Sequence, residues 1–341
     1  HAAPAIRAEL AGELLALAYP DRIARRRGGA HGQYQLANGR SARLAEDDPL
    51  ALEEWLVAPE LGSRSGEGSE RIYLAAALSP LAFTGALAPL VHTEEIAEWS
   101  EAEGRFIAER RRRVGSIVLS RERISGVDPG TRSEALCRWI AATGLQVLPW
   151  TEELRQWQAR VVLLRSLGEL PGAPPWPAVD DTALLATLGE WLAPALIEVG
   201  TRAALQRIAL AAALRALLPW PLPRELDRLA PERITVPSGS SVAIDYTRSP
   251  PVLAVKLQEM FGCSSTPAVA EDRVPLLLEL LSPAGRPLAL TQDLRGFWRG
   301  AYADVRKDMR GRYPKHPWPE DPLSARPTRH TKRRDAGDVT V

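Results

Sequence analysis

Lysine is nearly missing from this sequence. Only Lys256, Lys307, Lys315 and Lys332 occur, and arginine supplies the rest of the 43 basic residues. Arginine stays charged at any physiological pH and offers carboxylates and phosphates a planar, two-pronged fork, so this bias bears on any anion the chain holds. Cysteine is scarcer still. Cys137 and Cys263 are too few and too far apart for a disulfide framework or a zinc site, which favours a reducing, cytoplasmic setting. Long hydrophobic runs are absent too: the greasiest stretch, 203–218, is interrupted by Arg207 and Arg215, so no membrane span fits it. An initiating Met and a charged-then-apolar leader are both lacking, and the expectation is a chain cut or trimmed at His1.

Catalytic motifs are missing as well. No G-x-x-x-x-G-K-[ST] loop cradles a phosphate, and Gly66-Glu67-Gly68 fails as a dinucleotide fingerprint at its third glycine. Gly62-Ser63-Arg64-Ser65-Gly66 has arginine where a nucleophile elbow needs serine. His1, His31, His92, His316 and His330 are scattered without metal-ligand spacing. The acidic pairs Asp47-Asp48 and Asp180-Asp181 precede Pro49 and a helix start, so capping is their expected role. The chain therefore carries no catalytic or metal site by this reading.

What is present is an ordinary globular composition: 341 residues, 45% hydrophobic and 25% charged, enough for two or three domains. Residues 4–18 read as a helix with Ile6, Leu10, Leu14 and Leu17 on one stripe, stopped by Pro20. Strand-length runs follow at 22–27, 32–37 and 41–44, separated by Gly28-Gly29 and the hairpin pair Asn38-Gly39. Further strands are expected at 54–61, 71–78, 94–99 and within 105–124, with a short helix at 80–90. This spacing predicts a small antiparallel barrel. From Thr131 to Leu218 the period becomes helical. Beyond Pro219, Pro221 and Pro223 come strands at 234–236 and 242–246, a helix at 252–261, and a hairpin around Ser282-Pro283-Ala284-Gly285.

The near-zero net charge of +1 conceals blocks. Residues 22–43 hold six arginines and no acid, and residues 44–62 hold six acids and no base. Five glutamates in 94–103 precede seven arginines in 105–123, and residues 293–334 are strongly basic. Opposite blocks can pair across a sheet, or the arginines can track a phosphate backbone. Both readings stand for the first block, which contains Arg25, Arg26 and Arg27. For Arg110, Arg111, Arg112 and Arg113 nucleic-acid contact is preferred, because four consecutive charges on a strand put two on each face. A helix over 292–310 buries Leu294, Phe297, Trp298, Ala301, Val305 and Met309, and aligns Arg295, Arg299, Arg306 and Arg310 in one strip. The following Pro-rich strap, 313–322, carries Lys315. Structural anchoring is the first reading of its Tyr313 and Trp318, with base stacking second.

Leu14-Leu15-Ala16-Leu17-Ala18-Tyr19-Pro20-Asp21-Arg22-Ile23-Ala24 resembles the junction leading into the C-terminal region of bacterial HrpB-type helicases, of the DEAH/RHA group. The stretches 251–262, 274–278, 281–294 and 310–322, which include Val255-Lys256-Leu257-Gln258-Glu259-Met260-Phe261-Gly262, resemble the segment that distinguishes HrpB proteins. The resemblance implies that the two motor domains lie upstream of His1, and that ATP and Mg belong to them. It implies an OB-like barrel at 20–125 that helps hold RNA and couple it to the motor. No ATPase residue carries over, since no position here matches a motor motif.

The expected fold is α+β: the end of a helical region (1–19), an OB-like antiparallel β-barrel (20–125), a helical region (126–218), a mixed α/β C-terminal domain (219–322) and a disordered basic tail (323–341). The expected function is an accessory region of an ATP-dependent RNA helicase in the bacterial cytoplasm. It contacts single-stranded RNA or DNA through the arginines named above and Lys315, docks on its own motor domains, and is inactive alone. The alternative is a protein-interaction module that docks a partner without binding nucleic acid.

Overall fold

Turn-forming residues cut the first part of the chain into short strands, and five of those strands each pair on both sides. The computed structural model describes residues 10–28, 31–62, 69–168 and 175–331, and divides into a unit of residues 1–136 and a unit of residues 137–341. The architecture is mixed α+β.

In the first unit, β1 (Ile23–Arg26), β2 (Gln33–Leu36), β3 (Ser41–Arg43), β4 (Trp55–Gly62) and β5 (Glu70–Ala77) form a closed barrel in the order β1-β2-β3-β5-β4. β1 closes it by pairing antiparallel with β2 and β4, so that Arg25 stands opposite Gln35 on one side and Trp55 on the other. β3 and β5 run parallel, which departs from the all-antiparallel expectation. Ala24, Tyr34, Leu36, Leu56 and Ile72 fill the interior. Each fully buried leucine or isoleucine there contributes about 1.5–3 kcal/mol. Tyr34 is fully buried, and its hydroxyl lies 2.8 and 2.9 Å from the Leu50 and Glu53 carbonyls, so its polar tip is satisfied. Asp48 caps the 3-10 turn Pro49–Leu52 by accepting from the Leu50 amide, the role its position before Pro49 implied.

The barrel ends at Ala77. β6 (His92–Ser100), β7 (Arg105–Val114) and β8 (Ile117–Arg123) make a separate three-stranded antiparallel sheet, where the sequence was expected to continue one barrel to 125. Between the two lie 3-10 turns at Pro80–Thr84 and Ala88–Leu90 in place of the expected helix, interrupted at Gly85. The β7–β8 turn seats the second sheet on the barrel. Ser116 donates from its amide to Ala37 at 2.7 Å and from its hydroxyl to Leu36 at 3.0 Å. Gly115 has φ +53°, and a Cβ there would lie 2.2 Å from the Ala37 carbonyl oxygen, so only glycine fits.

The helix Ala11–Ala18 turns Gly12 and Ala16 inward. Its leucines Leu10, Leu14 and Leu17 remain exposed, and Ile6 lies outside the described residues. Small residues permit the close approach, and the larger stripe is left facing outward.

The helix Pro129–Thr143 crosses the boundary between the units. In the second unit, the helix Glu152–Ser166 is capped by Thr151 and buries Leu154, Trp157, Val161 and Leu164. From its inner face Arg160, only 2% exposed, reaches the end of the Leu222–Leu229 helix. It donates to the Leu226 and Ala230 carbonyls and pairs with Asp227 and Glu232 at 2.7 and 3.1 Å. Asp180 caps the helix Asp181–Ala186, as expected.

Strands β9 (Arg233–Thr235), β10 (Ser241–Asp245), β11 (Val252–Lys256), β12 (Ala268–Val269), β13 (Val274–Pro275), β14 (Leu277–Leu281) and β15 (Pro287–Thr291) follow. The larger sheet has the order β15-β14-β11-β10-β9. The expected helix at 252–261 is instead β11 followed by a 3-10 turn, Leu257–Met260. β11 lies at the centre of this sheet, parallel to β14, and buries Val252, Leu253 and Val255. A short continuous apolar run suits a central strand as well as a helix.

The expected helix 292–310 is two helices, Leu294–Arg299 and Tyr302–Arg312. Gly300, at φ −119° and ψ −91°, breaks the first. The break leaves Ala301 exposed and brings Tyr302 inward against Phe261, Phe297 and Trp298, with ring centroids 5.3–6.3 Å away. Burial pushes the Tyr302 phenol up to about 12, and its hydroxyl donates to Pro319.

The Pro-rich strap is anchored. Trp318 is 6% exposed and its indole donates to the Tyr313 carbonyl. Gln258, buried in the 3-10 turn after β11, donates to Pro317, lies 3.1 Å from His316 Nδ1 and accepts at its carbonyl from the Thr328 amide. Residues 323–331, expected to begin a disordered tail, thus include a buried Thr328, while 332–341 lie outside the described residues.

Burial, reinforced by the Lys256 ammonium, holds His316 below the usual imidazole value of 6.5. Below that pH the unfolded chain takes up a proton that the folded one declines, so stability falls with pH until the folded value is reached. The thermal midpoint is expected to drop as the pH is lowered below 6.5, and to drop less in His316→Gln. Equal drops in both proteins would exclude His316 as the source.

Candidate nucleic-acid interface

The side chains that project from β1 and β2 meet those of β8. A groove of about 710 Å³ is lined by Arg25, Arg26, Arg27, His31, Gln35 and Glu54. A second, of about 480 Å³, shares Arg25 and Gln35 and continues past Ser116, Ser120 and Arg121. Sequence reading missed Gln35, Ser120 and Arg121 as partners of the arginine block. The alternation of Gln35 with buried Tyr34 and Leu36 on β2 was visible, but not that β8 would meet it.

Within this groove the arginines differ. Arg25 is a fastener: its Nε and Nη2 hold Glu54 at 3.2 and 3.0 Å, its Nη1 donates to Val118, and its guanidinium lies 5.2 Å from the Trp55 ring centre. Arg27 donates only to the neutral Ser41 hydroxyl. The side chain of Arg26, opposite Tyr34 at the end of β1, makes no hydrogen bond or ion pair among the described residues, although its backbone amide donates to the Glu54 carbonyl at 2.8 Å.

On β7 the acidic and basic blocks meet as cross-strand partners. Arg110 pairs with Glu95 and Glu122, which also raise its pKa. Arg111 contacts Glu109 and Glu98, and Arg113 holds Glu94 while donating to Gly115. Arg112 has no such partner among the described residues. Ion pairing with glutamate therefore accounts for three of these four side chains.

In the second unit the expected strip of four arginines is cut at Gly300. Arg295 and Arg299 lie on one helix, and Arg306 and Arg310 on the next. Arg306 is bound into the strap through the Trp318 carbonyl and Glu320. Arg295, Arg299, Arg310 and Lys315 are exposed and unpaired among the described residues. No group of three or more His, Cys, Asp or Glu that could hold a metal occurs among the described residues, nor a helix long and apolar enough to cross a membrane.

Residues 191–322 match the family model described as ATP-dependent helicase C-terminal, and residues 90–124 match that of the ATP-dependent RNA helicase HrpB connector region. ATP-dependent RNA helicase HrpB of Escherichia coli (strain K12) is 44% identical over 321 residues, covering 94% of this chain. The chain belongs to the HrpB family, as its C-terminal region. It spans 39% of that relative's length. Two solved structures agree. The crystal structure of the E. coli DExH-box NTPase HrpB has a TM-score of 0.59 at 44% identity, covering 94% of this chain and 39% of that one. The crystal structure of the Escherichia coli DEAH/RHA helicase HrpB has a TM-score of 0.51 at 41% identity, covering 91% and 38%. The HrpB connector match coincides with the β6–β8 sheet, and the C-terminal match ends where the strap does.

Arg111→Gln, which removes contacts to Glu109 and Glu98, is expected to lower stability by at most about 1 kcal/mol in urea unfolding, as for other partly exposed pairs. Arg112→Gln should leave the unfolding midpoint where it was. A larger loss for Arg112 than for Arg111 would contradict the pairing described.

Proposed function

We propose that this chain is an accessory RNA-contacting region of an ATP-dependent helicase, and that the groove between β1, β2 and β8 tracks single-stranded RNA. The observation that carries this reading is Arg26 and Arg27, which line a groove of about 710 Å³ without an acidic partner among the described residues. Arg112, Arg295, Arg299, Arg310 and Lys315 are further phosphate contacts in this reading, by the same criterion. Arg25, Arg110, Arg111, Arg113 and Arg306 act on RNA through what they hold in place. The barrel order, with β1 closing on β4 and β3 parallel to β5, supports an OB-type barrel, a fold that takes up oligonucleotides on its strands and loops.

ATP and Mg²⁺ belong, in this reading, to motor domains such as the family's name implies. Neither a phosphate loop nor a clustered set of metal donors is present among these residues, so no step of hydrolysis is assigned to them. A bacterial cytoplasmic location belongs to the same reading, in keeping with the bacterial helicase that the chain resembles.

Binding of a fluorescein-labelled oligouridylate should fall linearly on a log–log plot against salt. Arg26→Ala is expected to reduce that slope by about one, as for a single phosphate contact, and Arg113→Ala to leave it unchanged. A wild-type chain that fails to bind the strand at low salt would refute the proposal.

Docking is the second activity the chain supports. Leu14 is 65% exposed on the Ala11–Ala18 helix, beside exposed Leu10 and Leu17. Such a stripe fits an apolar partner surface, which we assign to the motor domains. Purified motor domains of the E. coli relative should retain the chain in the absence of RNA, and Leu14→Asp should lose retention. Equal retention of the two proteins would remove this helix from the docking surface.

A further inference from the structure

The parallel register of β3 and β5 sets two like charges side by side: Arg43 stands directly opposite Arg71. Like charges so placed oppose strand pairing unless an anion lies with them. None of the described carboxylates takes that place. Arg43 donates only to the Ser69 hydroxyl, at 3.2 Å. Glu70 is held by Arg40 at 2.7 Å. The Arg71 side chain makes no hydrogen bond or ion pair among the described residues, and its guanidinium lies 5.8 Å from the centre of the Tyr73 ring. The two arginines line a cavity of about 230 Å³ together with Ser69 and Glu70, whose carboxylate is the one held by Arg40.

Tyr73 lies two residues beyond Arg71 and so on the same face of β5. It is 59% exposed. Its ring occupies the space over Gly62 of β4, where a Cβ would fall 2.4 Å from Tyr73 Cε2. The bare backbone at Gly62 thus lets the ring rest against the neighbouring strand. Surface packing alone explains a tyrosine beside one arginine. It does not explain the second arginine, placed in register with no carboxylate of the described residues ion-paired to it.

We propose that Arg43, Arg71 and Tyr73 form a seat for one nucleotide of single-stranded RNA. The two guanidiniums hold a backbone phosphate, to which arginine bonds in a bidentate manner. The base stacks on the platform of ring and guanidinium. This seat rests on the RNA reading above, but uses residues outside the β1–β2–β8 groove.

The test uses the full chain, a fluorescein-labelled oligouridylate and an abasic strand of the same length. Tyr73→Ala should weaken oligouridylate binding about fivefold or more, the low end for one base–aromatic stack, with no change in salt slope. Tyr73→Phe should bind as wild type. The abasic strand should bind wild type and Tyr73→Ala alike. Arg43→Gln and Arg71→Gln should each lower the slope by about one. Oligouridylate binding by Tyr73→Ala equal to wild type, or an equal loss on the abasic strand, overturns the seat and leaves the groove untouched. No binding by the wild type removes both.

Discussion

Closure of the barrel through β1 is the constraint on which the first unit depends. Because β1 pairs with β2 and β4 together, Ala24 must face the interior with Leu36 and Leu56, and Arg25 must face out with Gln35. An arginine placed outward over Trp55 then has a carboxylate, Glu54, and a carbonyl, Val118, within reach. Those bonds, with Ser116 on Ala37, hold β8 beside the barrel and create the groove. The groove is therefore a consequence of closure. Its free cations, Arg26 and Arg27, stand at the last position of the strand and just beyond it.

The charge blocks have two fates, decided by distance to a glutamate. On β7 the pairing with β6 brings Arg110 to Glu95, Arg111 to Glu98 and Arg113 to Glu94, so most of the block neutralises itself within the sheet. Partly exposed pairs of this kind contribute less than about 1 kcal/mol each. They do less for stability than one buried leucine of the barrel interior, worth about 1.5–3 kcal/mol. Their larger effect is to remove charge from the surface. The arginines that escape pairing stand out against this background, which is why the proposed RNA contacts rest on Arg26, Arg43 and Arg71 rather than on the three paired arginines of β7.

Much of the chain was legible from local signals. Asn38-Gly39 marked the β2–β3 turn, Asp48 and Asp180 marked capped starts, and Ser282-Pro283-Ala284-Gly285 marked the β14–β15 hairpin. The family was legible from quoted stretches at both ends. What failed depended on partners far away in sequence. Val252-Leu253-Ala254-Val255 is a strand because Leu277–Leu281 lies parallel to it, and nothing within ten residues states that. The helix over 292–310 kept its period through Gly300, yet burying Tyr302 among Phe261, Phe297 and Trp298 favoured a break. The candidate site was half legible for the same reason. Arginine content showed in composition, but whether each one meets a glutamate is a matter of strand register.

Anchoring of the strap extends this logic to the second unit. Proline fixes much of the backbone of 313–322 before folding, and Gln258, Arg306 and Tyr302 then bind its carbonyls at Pro317, Trp318 and Pro319. Lys315 lies between the anchored Tyr313 and Trp318, and Arg310 lies one turn before the strap begins. A cation carried on a backbone already held loses less freedom when it meets a phosphate than one on a loose tail. The buried groups of the strap thus favour any anion contact made by its exposed ones, without touching the anion themselves.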